Sequence, residues 1–484
     1  MTRNASQTRR DFLKTSLTAA VLAGVPRLLS AGPPGRPSGK RPTNFVLCMT
    51  DDQGYGDAGF MGHPVLKTPN LDAMAANGLV MDRFYAANPV CTPTRISVLT
   101  GRAPARSACF STGPGDNLRA QELILPGMMS ALGYATGHFG KFHLKRSPSK
   151  LGYDTVLHHE GCNFFEANPE LILDGEKKQY TGDTSDIVVD EALKFMRRAQ
   201  QAGKPFLAVI WFPSPHSPHE PLPEDAAPYR DLPDDTDYRP KRGKRGDPAA
   251  YLGELAGVDR AMGTLRAALR EMKVHEDTLV WFNSDNGGSH GSYKCGLSGG
   301  KGHLSEGGIR VPGVIEWPAR IREGRRTRVP AATYDILPTV LAACGADLGK
   351  MTGHRPIDGI SLLPLIDGTM ERRDKPLFFW RGVSGLLKEI QHGQTGKMQA
   401  FLDDPRNSLA VIDNEYKLMS AGKKPRKGVE TPPDGMCLFN VETDKAEKNP
   451  IDVKEPERRA AMREALLAWQ RSVGQSISGA DYRD

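Results

Sequence analysis

Nowhere does the chain carry the run of about 20 apolar residues that a membrane span requires. Its longest apolar stretch near the N-terminus, LTAAVLAGV, is too short, which argues against an integral membrane protein. Paired cysteines are also missing. The seven cysteines (Cys48, Cys91, Cys109, Cys162, Cys295, Cys344 and Cys437) are an odd number at irregular spacing, with no CxxC motif. That pattern excludes a zinc ribbon and a disulfide-scaffolded fold. No segment recurs at a fixed period, which excludes solenoids and propellers. A surplus of one charge is nearly absent too. The formal net charge is +7, and residues 1–31 hold five basic residues against one acidic, leaving +3 for the rest. So mild a surplus is no footprint for nucleic acid. Two local runs stay basic, YRPKRGKRGDP (Tyr238–Pro248) and GKKPRKG (Gly422–Gly428), and read as solvated loops able to touch an anionic polymer.

What is present begins with TRRDFLKTS (Thr8–Ser16), twin arginines ahead of a modest apolar run and small residues near Ala31. This is the layout of a twin-arginine export signal over residues 1–31. The expected location is therefore exported, periplasmic or extracellular, with the twin-arginine translocation machinery as a partner. A Pro/Gly/basic linker fills residues 32–42. The whole chain, 484 residues with 39% hydrophobic and 25% charged content, fits a large globular enzyme. NFVLCMT (Asn44–Thr50), PFLAVIWF (Pro205–Phe212) and DTLVWFNS (Asp277–Ser284) are continuous apolar runs of the kind central parallel strands show. Helical patterns alternate with them, in NLDAMAANG, SDIVVDEALKFMRRAQQ and AYLGELAGVDRAMGTLRAALREMK. The alternation predicts an α/β fold, a large central, mostly parallel sheet flanked by helices, over residues 43–370. Short strand-like pieces and then one amphipathic helix predict a smaller α+β subdomain over residues 371–484.

The ligands and catalysts of an open α/β sheet gather past the carboxyl ends of its strands. Two such ends carry acids here, Asp51-Asp52 and Asp285-Asn286. Adjacent carboxylates are costly to bury without a cation. Four oxygen donors from two strands suit calcium, or magnesium, rather than zinc. Each pair taken alone also reads as a turn before glycine. Cys91-x-Pro93-x-Arg95 opens the segment CTPTRISVLTGR, which reads as a helix start whose N–H groups face whatever Cys91 carries. Further basic and histidine residues stand in GKFHLK (Lys141, His143), SPHSPHEP (His216, His219) and GGKGHLSEGGIRVP (Lys301). A divalent metal, an arginine, two lysines and histidines around one nucleophile suit a tetrahedral oxyanion ester.

At these residues the sequence resembles the formylglycine-dependent sulfatases of the alkaline-phosphatase-like superfamily. FVLCMTDDQGYGD, TPNLDAMAANG, FYAANPVCTPTRISVLTGR, GYATGHFGKFHLK, SPHSPHEP, NSDNGG, GGKGHLSEGGIRVP, YDILPTVLAACG and DGISLLPLI follow in that family's order, from about Asn44 to about Pro450. The tail LFNVETDKAEKNPI resembles its C-terminal segment. The resemblance implies an alkaline-phosphatase-like mixed sheet with an antiparallel C-terminal sheet. It also implies that Cys91 is oxidised to formylglycine by a formylglycine-generating enzyme, with Pro93 and Arg95 part of the signal read. The metal would take Asp51, Asp52, residue 91, Asp285 and Asn286. Arg95, Lys141, His143, His216 and Lys301 would complete the catalytic set, with Asp285 a helper base and His216 preferred over His219. The expected reaction is hydrolysis of sulfate esters, most plausibly on carbohydrates, by analogy with exported bacterial sulfatases. Two alternatives stay open: a phosphonate monoester or phosphodiester hydrolase, and a catalytically silent binding protein. The chain departs from the family's Gly-Lys-Trp-His-Leu-Gly at Phe142 and Lys145, so the loop after His143 is expected to differ.

Overall fold

The computed structural model describes residues 43–482 except 113–117, 160–166, 233–246, 290, 383–394, 405–406 and 421–431. The export signal and linker at residues 1–42, nearly all of the first basic run, all of the second, and Cys162 lie outside the described residues. Residues 42–484 form one compact unit. Among the described residues no helix is long and apolar enough to cross a membrane.

A ten-stranded mixed sheet forms the centre of that unit. Its middle is parallel: Thr278–Ser284, Asn44–Thr50, Phe206–Trp211 and Ala135–Gly140 lie side by side, followed by Thr155–His158. Gly313–Glu316 joins antiparallel on one flank, and the hairpin of Glu170–Leu173 with Glu176–Gln179 closes the other. The apolar runs are continuous because both sheet faces are covered. Phe45, Leu47 and Met49 point to one side, with Leu207, Val209 and Trp211, and pack beneath Ile96, Leu99, Leu337 and Leu341. Their alternates Val46 and Cys48, with Ala208 and Ile210, meet Val188, Phe195, Val258 and Met262 on the opposite side. The period of two along each strand thus divides one strand between two cores. The second core comes from the helices Thr184–Gln201, capped by Asp183 whose carboxylate accepts from Ser185 N at 2.8 Å, and Pro248–Glu271, which begins with proline after Asp247.

The C-terminal part is a four-stranded antiparallel sheet in the order Leu377–Arg381, Ser408–Asp413, Tyr416–Ser420, Met436–Asn440. The helix Pro456–Ile477 covers one face through Met462, Leu466, Trp469 and Val473. The other face, with Phe379, Ala410, Ile412 and Phe439, packs on Tyr85, Ile309 and Tyr334 of the main body. One charged cluster crosses this apolar junction. Lys417 Nζ lies 2.9 Å from Glu306 Oε1 and 2.9 Å from Glu447 Oε1, all three side chains 0% exposed. Glu447 also accepts from Ser298 Oγ and from Glu306 N, and Glu306 from Tyr85 Oη at 3.0 Å. The last strands therefore hold the loop that runs from Ser298 to Glu306.

Candidate active site

Register alone brings the acids together. Asn44–Thr50 and Thr278–Ser284 pair in parallel with Thr50 opposite Ser284, so Asp51 and Asp285 leave neighbouring strands at the same level. Asp285 N donates to Thr50 O at 3.0 Å, and Asp51 N to Ser214 O at 3.1 Å. Asp52 adopts φ 69, a left-handed conformation uncommon outside glycine, and its N–H donates to Asp285 Oδ1 at 3.3 Å. Lys141 follows the strand Ala135–Gly140 and His216 the strand Phe206–Trp211, so four adjacent strands deliver their next residues to one end of the sheet.

Cys91 is the first residue of the helix Cys91–Thr100, all ten of whose residues are buried. Proline is tolerated at position 93 because the first helical turn leaves its N–H groups without intrahelical acceptors. Arg95 lies one turn on, on the same face as Cys91. Its guanidinium donates to Asp51 Oδ2 at 2.8 Å, Asp285 Oδ2 at 2.7 Å and Lys141 O at 2.7 Å, with the Trp211 ring 5.1 Å beneath. Lys141 Nζ reaches Asp51 Oδ2 at 2.6 Å, and Cys91 Sγ donates to Asp51 Oδ1 at 3.4 Å.

Lys301 arrives on a loop that must lie against NSDNGG backbone to backbone. Lys301 N donates to Gly288 O at 3.1 Å and Gly287 N to Gly308 O at 2.9 Å. A β-carbon at Gly287 would sit 2.0 Å from Gly307 O, so the glycines are a steric requirement of this contact. Lys301 Nζ then lies 2.6 and 2.8 Å from the two oxygens of Asp52. His216 Nε2 stands 3.8 Å from Asp52 Oδ2, whereas His219 turns away to Pro215 O at 3.1 Å and the edge of Tyr251. His143 has φ 55, and its carbonyl accepts from Thr92 Oγ1 at 3.0 Å. The left-handed residue of this segment is thus His143 and not Lys145.

The structure gathers Arg95, Lys141, His143, His216 and Lys301 around Cys91 and the acids of the two strand ends, and leaves His219 turned away. Sequence reasoning missed Trp211 beneath Arg95, and Thr92, which holds the His143 carbonyl. Trp211 was visible as the last residue of an apolar strand, without any sign that a guanidinium would lie on it.

Burial and charge set the proton balance. Burial raises the Asp51 carboxyl, but Lys141 and Arg95 more than offset it and hold the group well below the usual range. Burial, together with the neighbouring Asp51, pushes Asp285 up to about 7. The Cys91 thiol is raised well above its ordinary value by burial and by Asp285 and Asp51, so it stays protonated and is a poor nucleophile as a plain cysteine. Burial and Lys141 lower His143 to about 3, leaving a neutral imidazole. Ligand atoms of Asp51, Asp52, Cys91 and His216 fall within 4.8 Å of one another. Asn286 donates through its amide nitrogen to Asp52 Oδ1 at 2.7 Å, while its buried Oδ1 has no hydrogen-bond partner among the described residues. An orphaned carbonyl oxygen beside carboxylates fits a hard cation.

A family model described as Sulfatase matches residues 43–346. The chain belongs to the sulfatase family. This sulfatase is 30% identical over 403 residues to N-acetylgalactosamine-6-sulfatase of Canis lupus familiaris, covering 73% of this chain and 72% of the relative. It is 31% identical over 436 residues to arylsulfatase A of Bos taurus, covering 80% and 77%. Its fold is similar to the crystal structure of Ps i-CgsB in complex with k-i-k-neocarrahexaose, with a TM-score of 0.75 at 24% identity, covering 91% of this chain and 98% of that one. Like the sulfatases it resembles, it is a sulfuric ester hydrolase.

Proposed function

We propose that this sulfatase is exported and removes sulfate from carbohydrates, using a formylglycine made from Cys91 and a divalent cation, calcium first and magnesium second. The observation that carries the reading is the convergence of Asp51, Asp52, Asp285 and Asn286 with Arg95, Lys141 and Lys301 around Cys91. The N-acetylgalactosamine-6-sulfatase relative acts, by its name, on a sulfated sugar, which supports the substrate class. The Thr8–Ser16 motif supports export through the twin-arginine machinery.

A hydrated aldehyde at position 91 would supply two hydroxyls on one carbon, one nucleophilic and one able to lose a proton. Asp51, Asp52, Asp285 and Asn286 would hold a hard cation, which would supply charge stabilisation for the sulfate oxygens. The chain's own residues do the rest. Arg95 fixes Asp51 and Asp285 and braces residue 91. Lys141, Lys301 and His216 hold the sulfate oxygens as charge builds on them. Asp285, held beside residue 91 by Arg95, takes a proton from the attacking hydroxyl. His216 and Lys301, on the open side of the site, return a proton to the leaving alcohol. His143 accepts the proton of the second hydroxyl as sulfate departs.

The decisive test is the mass of the tryptic peptide Phe84–Arg95 from protein produced with a formylglycine-generating enzyme, alongside sulfate release from sulfated sugars. Replacement of CH2–SH by CHO, with release abolished in Cys91→Ala, is the expected result. Undiminished release by Cys91→Ala refutes the mechanism, and faster cleavage of phosphonate monoesters than of sulfate esters refutes the substrate class.

A further inference from the structure

Guanidinium groups that this chain buries are matched by carboxylates: Arg95 by Asp51 and Asp285, Arg106 by Asp358, Arg266 by Glu316 and Arg373 by Asp335. Arg381 is different. It ends the edge strand Leu377–Arg381 of the C-terminal sheet and is half-buried. Its backbone pairs with Ser408 in the sheet, but among the described residues its guanidinium has no hydrogen bond, ion pair or ring contact. Burial lowers its guanidinium below the usual arginine range, with no acid to oppose the effect.

Its place in the fold gives this vacancy a meaning. The carbonyl of Trp380, one residue earlier, accepts from Asn88 Nδ2 at 3.2 Å, three residues ahead of Cys91. Gly302, next to Lys301, donates its N–H to Pro89 O at 2.8 Å. A β-carbon placed on Gly302 would lie 3.6 Å from Arg381 Nη1. Arg381 thus rests on the loop that carries Lys301, beside the segment that leads into Cys91. By bond lengths its guanidinium lies within about 15 Å of Lys301 Nζ, the reach of a short oligosaccharide. Lys301 itself stands on the more exposed side of the site: Arg95, Lys141 and Asp51 are 0% exposed, whereas the side chain of Lys301 is 24% and that of His216 20% exposed. A substrate that extends past Lys301 therefore extends along the loop on which Arg381 rests.

We propose that Arg381 binds a second anionic group of the substrate, a carboxylate or a further sulfate on the glycan that carries the reacting ester, and so selects polyanionic substrates over singly charged ones. The assignment rests on the carbohydrate-sulfatase reading and adds the recognition element outside the reaction centre. A guanidinium presents two parallel N–H donors that match either oxyanion, and a half-buried one without a protein partner gains most from such a pair.

The experiment compares formylglycine-bearing wild type with Arg381→Gln and Arg381→Lys, using 4-nitrocatechol sulfate as the reporter substrate. Three competitors are titrated: inorganic sulfate, a sulfated oligosaccharide whose other charges are uronate carboxylates, and one whose other charges are sulfates on neutral sugars. In wild type at least one oligosaccharide should inhibit about tenfold or more better than inorganic sulfate. Arg381→Gln should erase that preference, raising the inhibition constant of that oligosaccharide about tenfold and that of inorganic sulfate by less than twofold. Arg381→Lys should restore part of it. Whichever oligosaccharide responds identifies the second group. Wild type without a preference, or a variant that weakens all three competitors equally or none, overturns the assignment. Wild type that fails to hydrolyse 4-nitrocatechol sulfate or any sulfated sugar refutes the sulfatase chemistry instead. The same three affinities, measured by calorimetry, still decide the role of Arg381.

Discussion

Replacing Lys417 by methionine gives the most direct measure of how the C-terminal sheet is joined to the catalytic body. The substitution keeps the length and apolar volume of the stem and removes the ammonium that lies 2.9 Å from both Glu306 and Glu447. Arg310 Nη1 remains 3.5 Å from Glu306 Oε2, while Glu447 loses the ammonium that lay 2.9 Å from its Oε1. Removing one partner from a buried ionic cluster costs about 3–5 kcal/mol. With an unfolding entropy of about 2.1 cal/mol/K per residue over the unit Pro42–Asp484, that is a fall in Tm of about 3–5 °C. The pH dependence has a definite sign. In the wild type Glu306 is raised by burial but lowered further by Lys417, and is held below its ordinary value. Its contribution is present above the unfolded carboxylate range and lost as pH falls through its folded value. Without Lys417 burial dominates at Glu306, which takes up a proton more readily when folded, and the deficit narrows as pH falls from 7.5 to 5. Scanning calorimetry at both pH values measures this, with Lys417→Met/Glu447→Gln expected to recover about half of the loss. A Tm change below 1 °C, or an equal deficit at both pH values, would refute the account.

Other consequences are open to simpler measurements. Burial raises Asp358, but Arg106, Ala103 N and Trp469 Nε1 more than offset it and hold it at about 2, so about 2 kcal/mol of stability is present above pH 4 and lost as pH falls through 2. Asp358→Asn should therefore destabilise at pH 7 and flatten the acid limb of the urea midpoint, and an acid limb unchanged from wild type would contradict this. Asn286→Ala removes the orphaned Oδ1 and should weaken calcium binding by at least about tenfold in calorimetry; unchanged affinity would take Asn286 out of the ligand set. Lys141→Ala should lower kcat by about 10²–10³-fold, as loss of a buried oxyanion donor does. A larger effect on KM than on kcat would move Lys141 from transition-state to ground-state binding.

The large strands were readable because the physics that buries them leaves a plain trace: a strand covered on both faces cannot carry polar residues, and NFVLCMT and TLVWFNS carry few until they end. The hairpin strand Glu176–Gln179 left no such trace, since all four residues are exposed and polar. Strands of two or three residues, such as Phe84–Tyr85 and Leu79–Met81, are shorter than any periodicity. In the site, Asp51-Asp52 and Asp285-Asn286 could be picked out as acids at strand ends. That Lys301 would reach Asp52 across 249 residues was not legible, because no local rule predicts where a glycine-rich loop folds back. Lys417 with Glu306, and Arg381 against Gly302, stayed invisible for the same reason. A lone charge in a strand pattern does not name its partner.

Cys91 is 1% exposed, on a helix with no exposed residue, beneath groups that the ribosome delivers much later. Asp285 follows Arg95 by 190 residues. At about 5–20 residues per second, that separation is about 10–40 s of synthesis. A second protein can reach the Cys91 thiol only while the chain is still open, so any enzymatic change to it belongs to that interval and to whatever delay folding adds. Molecules that close with the cysteine unchanged would have the complete architecture and no means of acquiring the aldehyde. If residue 91 becomes the formylglycine proposed above, the specific activity of a preparation records how many chains were met in time, rather than a property of the folded protein alone.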